Sequence, residues 1–388
     1  MKWWFGRKAA REAARPSLFQ AWGVAPPAGE WPRSYEAQVR DAYLGNPVAQ
    51  RAVRLVAESV AWCPVYARGE DGAALDGGAR TVARKSAWPE RLLTPPLLDS
   101  AASQLLLHGN AYLQILLDMD GAPAELFALR PERVKVEAGA SGWPAAYVYK
   151  AGEARTRLAA RDGLGRPSLV HVRSTHPLDD HYGLGCLGAA AGAVAIHNAA
   201  TRWNKALLDN AARPSGALVH DPADGAALAA DQFARLKAEL EAEFVGAANA
   251  GRPMLLEGGL KWQAMSLTPA DMDFVGLKAA AAREIALAFG VPPMLLGLPG
   301  DSTYANYREA NRALWRLTVL PLAERILAAV SAALAGWWPG IALKVDIDQV
   351  TALAEDRERL WAQVSAADFL TRDEKRDMLG FEREGEAK

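Results

Sequence analysis

The chain has 388 residues, of which 51% are hydrophobic and 23% are charged, the composition of a folded protein with about two or three domains. With 44 basic and 45 acidic residues its net charge is −1, which argues against a protein that coats nucleic acid through a basic excess. Its two cysteines, Cys63 and Cys186, imply neither a disulfide framework nor a cysteine-rich metal site.

The chain also lacks the pattern of a signal peptide. Three apolar residues within Met1–Phe5 are too few for a signal-peptide core. The longest run of small apolar residues, Leu187–Ile196, is about half of the ~20 residues that a membrane helix needs. We therefore expect a soluble, unsecreted protein with no membrane segment.

The first 180 residues predict an irregular arm followed by an α+β unit. Residues 1–33 hold scattered arginine, tryptophan and proline residues and predict a loosely held N-terminal arm. Asn46-Pro47 supplies an N-cap and a first-turn proline, so a helix is predicted from there, and a shorter helix over 97–107. Closely spaced turn signals then predict an antiparallel meander. The predicted strands are 65–67, 111–117, 125–129, 134–137, 145–149 and 168–173. The fold class of residues 34–180 is therefore α+β.

A different pattern begins after residue 180. Leu187–Asn210 predicts a helix of about 24 residues, about 36 Å long, whose first half is nearly all alanine and glycine. Residues 214–267 predict a small α/β insert, with strands at 217–220, 254–256 and 260–265 and a helix over 231–244. Thr268-Pro269 then predicts the start of another helix, as N-cap and first-turn proline.

The stretch from Phe289 to Tyr307 lies between two strong helix patterns. Gly290 suits a C-cap, and the prolines that follow it cannot continue the helix. Ser302 and Thr303 are both good N-cap residues for the next helix. Met294–Leu298 is an apolar loop, which either packs against a core or presents apolar groups to a partner. On pattern alone, a packed connection between helices is favoured.

The C-terminal part predicts one long helix, a strand and two closing helices. The long helix runs over 304–334, and Pro321 in its interior predicts a kink. A strand is predicted over 343–347 and a helix over 351–366. In the last helix, Thr371 is followed three residues later by Glu374, which is a capping-box pattern.

Two patterns raise the possibility of catalysis. Gly183–Gly188 spells G-x-G-x-x-G, but no strand runs directly into it, so a tight turn before a closely packed helix is favoured over a dinucleotide site. His171, His176 and His181 suggest, as an alternative function, an α/β metal-dependent hydrolase. Their five-residue spacing does not converge on a strand or a helix, so a polar loop is favoured.

No other catalytic signature is present in the sequence. It contains no P-loop, nucleophile elbow, H-E-x-x-H or C-x-x-C motif. The pairs Asp271/Asp273 and Asp346/Asp348 fit a helix start and an alternating strand better than a divalent-ion site. We therefore predict no enzyme activity, catalytic residue, cofactor or metal.

Six motifs, in order along residues 45–380, nevertheless point to one family. They are His108–Tyr112, Leu129–Val134, Tyr182–Leu187, Asp209–Leu218, Phe289–Gly297 and Thr303–Asn306. Together they resemble the portal proteins, or head–tail connectors, of tailed bacteriophages of the siphophage type and of their prophage and gene-transfer-agent relatives. The Phe289–Gly297 stretch followed by Thr303–Asn306 is the most specific of these matches.

The resemblance implies a dodecameric ring around a central DNA channel. It implies the following domains: an arm (1–33), an α+β wing (34–180), a stem helix (181–213), a clip (214–267), a second stem helix (268–290), a tunnel loop (291–303), a long kinked helix with a return to the wing (304–350) and a helical crown (351–388).

The same resemblance implies which residues meet DNA. The tunnel-loop residues facing it would be Leu295, Leu296, Gly297, Leu298, Pro299, Gly300, Asp301, Ser302 and Thr303. Basic side chains that could face the channel are Arg202, Lys205, Lys278 and Arg283.

The implied location is the portal vertex of a virion assembled in the bacterial cytoplasm. The implied partners are further copies of the chain, the terminase large subunit, a head–tail adaptor, the major capsid protein and double-stranded DNA that passes through non-specifically. No membrane partner is implied. A monomeric adaptor that only scaffolds other proteins remains an alternative.

Overall fold

The computed structural model describes residues 34–68, 91–209, 216–220, 231–232, 234–238, 260–264, 273–298 and 303–379. The predicted arm 1–33 and the strand 254–256 lie outside these residues, as does the tail after residue 379. Of the insert helix predicted over 231–244, only 231–232 and 234–238 are described, and they are helical.

The helices include two that are joined through a π-helical turn. In chain order they are α1 (Tyr35–Val39), α2 (Pro47–Ala61), α3 (Pro95–His108), α4 (Leu187–Asp209), α5 (Phe274–Ala288), α6 (Tyr304–Leu314), α7 (Leu320–Leu334), α8 (Ala354–Ala366) and α9 (Arg372–Leu379). The π-helical turn Trp315–Val319 connects α6 to α7, and a second one, Arg40–Leu44, follows α1.

The strands form small antiparallel sheets. They are β1 (Val65–Arg68), β2 (Asn110–Leu117), β3 (Pro123–Leu129), β4 (Val134–Ala138), β5 (Pro144–Ala151), β6 (Ala154–Ala159), β7 (Leu169–Arg173), β8 (Gly216–His220), β9 (Leu260–Ala264) and β10 (Ala342–Val345). Two sheets have three strands, in the orders β3-β2-β7 and β4-β5-β6, and the pairs β1-β10 and β8-β9 make two more.

The predicted antiparallel meander is therefore only partly right: β4, β5 and β6 form one, but β3 does not pair with β4. After β6 the chain returns to pair β7 with β2, with Tyr112 opposite His171, so the strands divide into two sheets. The sequence reading also missed β6, whose residues are exposed except for the partly buried Leu158. Such a strand has no buried apolar face that would reveal it in the sequence.

Strand β2 lies between two cores. Its residues Ala111, Leu113 and Ile115 pack with α2, α3 and α7 in the main core. Tyr112, on the opposite face, packs in a second core with residues of the other three-stranded sheet, such as Tyr147. Because alternate residues of a strand point to opposite faces, a strand covered on both sides is a continuous apolar run. Strand β10 then pairs with β1, which joins the C-terminal part of the chain to its N-terminal part.

Several predicted helix boundaries are confirmed by capping contacts. The side chain of Asn46 accepts hydrogen bonds from the backbone N–H groups of Val48 and Ala49 at the start of α2. At the start of α9, Thr371 N–H donates to Glu374 Oε2 at 2.8 Å, and Glu374 N–H donates back to Thr371 Oγ1 at 3.3 Å. These two bonds form the predicted capping box.

Two other predicted boundaries are wrong. The second stem helix was predicted to begin at Pro269, but α5 begins at Phe274, after Asp273 with a φ of 40°. A residue in the left-handed region interrupts a right-handed helix, and the Asp273 side chain caps α5 instead. Strand β10 ends at Val345, so Asp346 and Asp348 do not alternate on a strand. Asp346 instead caps a 3₁₀ turn by accepting from the Asp348 N–H.

Where a kink was predicted at Pro321, the structure has a π-helical turn directly before α7. Proline has no N–H to donate to the carbonyl four residues earlier, and a wider turn accommodates that loss. By length and composition, Tyr304–Leu334 is also the one helix of the described chain that could cross a membrane. Half of its most apolar stretch is buried within the protein, which is typical of a core helix.

Candidate nucleic-acid interface

The predicted tunnel loop begins where α5 ends in a glycine turn. Gly290 has a φ of 66°, in the left-handed region that favours glycine, and it lies one residue after the C-cap Phe289, so the predicted glycine stop is displaced by one position. The hydroxyl of Thr318, in the π-helical turn, donates to the Gly290 carbonyl at 2.7 Å. A Cβ on Gly290 would lie only 2.8 Å from Thr318 Oγ1. The end of α5 is thus fastened to the middle of the long helix.

Part of the predicted tunnel loop is packed. The residues Pro293–Leu296 form a 3₁₀ turn, and the side chains of Leu295 and Leu296 lie against the main core. Leu298 is half-buried. The structure therefore brings Leu295 and Leu296 inward, as the reading from pattern alone favoured.

The exposed part of the loop lies further along the chain. Gly297 is exposed with a φ of 71°, and a Cβ there would meet nothing within 4 Å. Pro299, Gly300, Asp301 and Ser302 lie outside the described residues. Thr303 is exposed and caps α6 by accepting from the Asn306 N–H at 3.2 Å. Of the described loop residues, Gly297 and Thr303 are those fully at the surface.

The four candidate basic residues lie on the paired helices α4 and α5, which pack along each other where Trp203 stacks on Phe274 at 4.2 Å. Arg202 and Lys205 of α4 are exposed, and Lys205 Nζ donates to Asp209 at 2.5 Å. On α5, Arg283 is exposed and Lys278 is half-buried. Because Lys278 and Arg283 are five positions apart on the helix, the two side chains do not share one helix face.

The G-x-G-x-x-G segment packs against backbone rather than forming a phosphate loop. Gly183 N–H donates to Asn110 Oδ1 at 2.7 Å, and Asn110 Nδ2 donates back to the Gly183 carbonyl at 3.2 Å. A Cβ on Gly183 would lie 2.0 Å from the Gly109 carbonyl oxygen, and one on Gly185 would lie 2.4 Å from that of Leu107. Backbone of residues 107–109 lies where a pyrophosphate would have to bind, as expected for a tight entry into a closely packed helix.

The alternative metal site at His171, His176 and His181 is not formed among the described residues. Within the described ranges, no three His, Cys, Asp or Glu side chains are grouped so that they could hold a metal ion. His171 stacks on Tyr112 at 4.3 Å, and its Nε2 donates to Asn110 Oδ1 at 3.0 Å. Burial, with smaller effects from nearby Arg173, His108 and His181, lowers the pKa of His171 to about 3. His176 instead accepts the Leu178 N–H within its own loop.

Comparison with known proteins decides the family. The family model of the phage portal protein matches residues 47–380. The chain belongs to the phage portal protein family. A chain from the neck of a native gene transfer agent particle, solved with C12 symmetry, is 47% identical to this portal protein, with a TM-score of 0.67. That match covers 91% of this chain and 95% of the other.

Two relatives extend the comparison. An uncharacterized protein of Rickettsia felis is 40% identical over 348 residues, which cover 88% of each chain. A probable portal protein of Streptomyces phage phiC31 is 25% identical over 339 residues, covering 82% of this chain and 68% of its own. The portal identity predicted from the ordered motifs is therefore confirmed.

Membership in the portal family gives the location and the oligomeric assembly of this protein. It is located at the portal vertex of a capsid, and its copies form a dodecameric ring, as in the C12 neck. Portal proteins are structural components of the particle. The mixed helix and sheet fold predicted from the sequence is confirmed by the match to the gene transfer agent neck.

Proposed function

We propose that this portal protein conducts double-stranded DNA through its ring during packaging and ejection and catalyses no reaction itself. The observation that carries the proposal is the 47% identity, over nearly the whole chain, to a subunit of a twelve-fold particle neck. The net charge of −1 supports a passage that grips DNA weakly, because strong phosphate binding would oppose sliding.

The fold supports an assignment of domains. Residues 34–180, with both three-stranded sheets, are the wing, and the packed pair α4 and α5 is the stem. The β8-β9 ribbon belongs to the clip, within residues 214–267. The C-terminal helices form a small crown, and Arg312 of α6 anchors it by donating to Glu355 of α8 at 2.7 Å.

Three protein partners follow from this arrangement. The clip would meet the terminase large subunit during packaging and a head–tail adaptor afterwards, while the wing would meet the major capsid protein. In support, the clip carries exposed side chains on its ribbon, Val219 and Lys261.

The tunnel loop would contact DNA through the part that does not pack on the core. Leu295 and Leu296 fix the start of the loop, and the segment from Gly297 to Thr303 would face the channel. An apolar and glycine-rich segment can touch a duplex without binding phosphates tightly. Arg202, Lys205, Lys278 and Arg283 would add weak cationic contacts. A ring structure that placed all four away from the lumen would remove that part of the proposal.

The decisive experiment shortens the loop. Deletion of Gly297–Gly300 should leave ring formation intact, because Leu295 and Leu296, which pack on the core, are retained. The amount of nuclease-protected DNA per particle should fall at least about tenfold, since the loop would no longer reach the duplex. Light scattering measures the ring, and DNA quantification after nuclease treatment measures packaging.

The matched control changes chain length elsewhere. A Gly-Ser insertion after Gly152, in the exposed turn between β5 and β6, should alter neither ring nor DNA content, because a Cβ at Gly152 would meet nothing within 4 Å. Loss of the ring itself on deleting Gly297–Gly300 would contradict the tunnel assignment and favour a purely structural connection.

A further inference from the structure

Beside the tunnel loop, the surface carries an open apolar groove of about 390 Å³. One wall is Leu287, at the end of α5, and the other is Leu317, in the π-helical turn. These two side chains are 79% and 77% exposed. The remaining described lining residues are Gly290, Val291, Pro292, Pro293, Ala313 and Thr318. We call this feature the Leu287–Leu317 groove.

The chemistry of the groove narrows its occupant to a protein surface. Thr318 carries the one polar side chain among the described lining residues, and its hydroxyl already donates to the Gly290 carbonyl. Pro292 and Pro293 have no N–H to offer. A small-molecule site needs a few convergent polar groups to orient its ligand, and a DNA contact needs cations or donors for phosphates. The described lining supplies neither, whereas paired exposed leucines are typical of protein contacts.

The position of the groove in the ring indicates which protein occupies it. One wall belongs to the end of α5, which leads into the predicted tunnel loop, and the other to the π-helical turn, whose Thr318 is hydrogen-bonded to Gly290 at the start of that loop. If that loop faces the channel, as proposed above, the groove lies at nearly the same radius. At that radius a dodecameric ring has another copy of the chain on either side. In a cyclic ring of this kind each contact is heterologous, so a recess on one flank meets a different surface of the neighbour.

We propose that the Leu287–Leu317 groove receives the neighbouring copy of this chain and forms part of the subunit contact that closes the ring. The inference rests on the proposed function, because it uses the channel-facing position of the loop. It adds the residues that hold adjacent subunits together beside that loop. Apolar side chains from the neighbour would cover Leu287 and Leu317, which a monomer leaves in water.

The test replaces both walls with charge. The double variant Leu287→Asp, Leu317→Asp should keep the fold of the monomer, because both side chains are exposed, but it should reduce the fraction of chains in rings about tenfold or more. Ring formation is measured by native mass spectrometry of the purified chain. It is also measured by the number of portal copies in particles from cells that lack the native gene. Circular dichroism on heating checks the fold.

The matched control places the same charges on equally exposed leucines elsewhere. Leu164 and Leu178 are 78% and 81% exposed, in loops outside the groove, and their double Asp variant should assemble like the unaltered chain. The milder Leu287→Gln, Leu317→Gln variant should give an intermediate loss, which guards against a folding defect. Normal rings from the Asp variant, or equal losses from the control pair, would overturn the proposal.

Two variants separate this inference from the proposed function. Deleting Gly297–Gly300 should spare the ring and reduce packaged DNA, whereas the groove variant should remove the ring. If the groove variant forms rings while the loop deletion still impairs packaging, the groove inference fails and the channel function stands. An unaltered chain that never forms rings and never enters particles would contradict both.

Discussion

Two helices of this portal protein end in the same way and lead to opposite outcomes. Helix α3 is followed directly by Gly109, and α5 is followed, after Phe289, by Gly290; both glycines have positive φ. After Gly109 the chain is closed off: Asn110 is fully buried and the Gly183 backbone fills the space beside it. Beside Gly290, by contrast, the Leu287–Leu317 groove remains open.

The difference lies in what a distant segment does, and not in the cap itself. At Gly109, a segment more than 70 residues away packs against the turn. Its Gly183 donates one hydrogen bond to the Asn110 side chain and accepts another from it. At Gly290, the distant partner is one hydroxyl, that of Thr318. We call the turn at Gly109 the closed corner, because contacts within one chain complete it. We call the turn at Gly290 the open corner, because by our proposal it is completed only in the ring. Breaking each corner should therefore have different consequences.

The largest effect is expected at the closed corner. Gly183→Ala would place a Cβ 2.0 Å from the Gly109 carbonyl oxygen and 2.7 Å from the Ser174 nitrogen, so backbone must move. We expect a loss of about 3 kcal/mol or more in the free energy of unfolding, measured by denaturant titration.

Gly188→Ala, in the same motif, is the control. Its Cβ would meet nothing within 4 Å, so stability should be unchanged or raised by up to about 1 kcal/mol through helix propensity. Equal destabilisation by both substitutions would show that the corner is not closed by the backbone contact at Gly183.

A smaller effect is expected from pH, again at the closed corner. Burial lowers the pKa of His108 to about 4, and burial is also the main cause that lowers the pKa of His171 to about 3. Below pH 6.5 the unfolded chain therefore binds more protons at these sites than the folded chain. Stability is fully present above pH 6.5 and falls with acidification, by about 1–2 kcal/mol per histidine at pH 5. Thermal melting between pH 7 and pH 5 measures the loss.

His171→Phe should flatten this pH dependence. The ring contact with Tyr112 is retained, but no proton binds at the position. The variant loses the hydrogen bond to Asn110, so it should be less stable at pH 7 and lose less on acidification. No titratable side chain is among the described residues of the Leu287–Leu317 groove, so association across it should change little over this range. An unaltered pH slope in the variant would assign the titration to other groups.

Much of the fold could be predicted where local chemistry decides it. The caps at Asn46 and Thr303, the turn at Gly290 and the box at Thr371 all act within four residues of themselves, and all were predicted. The division of the strands into two sheets was not predictable in this way, because it depends on which distant strand pairs with β2. The start of α5 was misplaced because Asp273, in a left-handed conformation, caps the helix in place of the predicted Thr268.

The candidate site shows the same limit. Glycine and proline marked the boundaries of the predicted tunnel loop, and its local pattern favoured packing. The family resemblance instead placed Leu295 and Leu296 at the channel, whereas both side chains lie against the core. Leu287 and Leu317 were not singled out, since a leucine on a helix is expected to face the core of its own chain. For Leu287, the sequence signal is that it lies outside the buried stripe of α5, which includes Ala281 and Ile285. Recognising that signal requires knowing which face of α5 is buried.

The smallest effect is expected where the open corner is fastened. Thr318→Val keeps the shape of the side chain but removes the hydroxyl that donates to the Gly290 carbonyl at 2.7 Å. We expect a loss of about 1 kcal/mol in the free energy of unfolding, as for a typical hydrogen bond, with ring formation unchanged. Denaturant titration of the monomer and native mass spectrometry of the ring measure the two quantities. Because the hydroxyl is already used within the chain, the neighbour should meet only apolar surface in the groove. A ring weakened by Thr318→Val in a monomer of normal stability would instead show that the hydroxyl contacts the adjacent subunit.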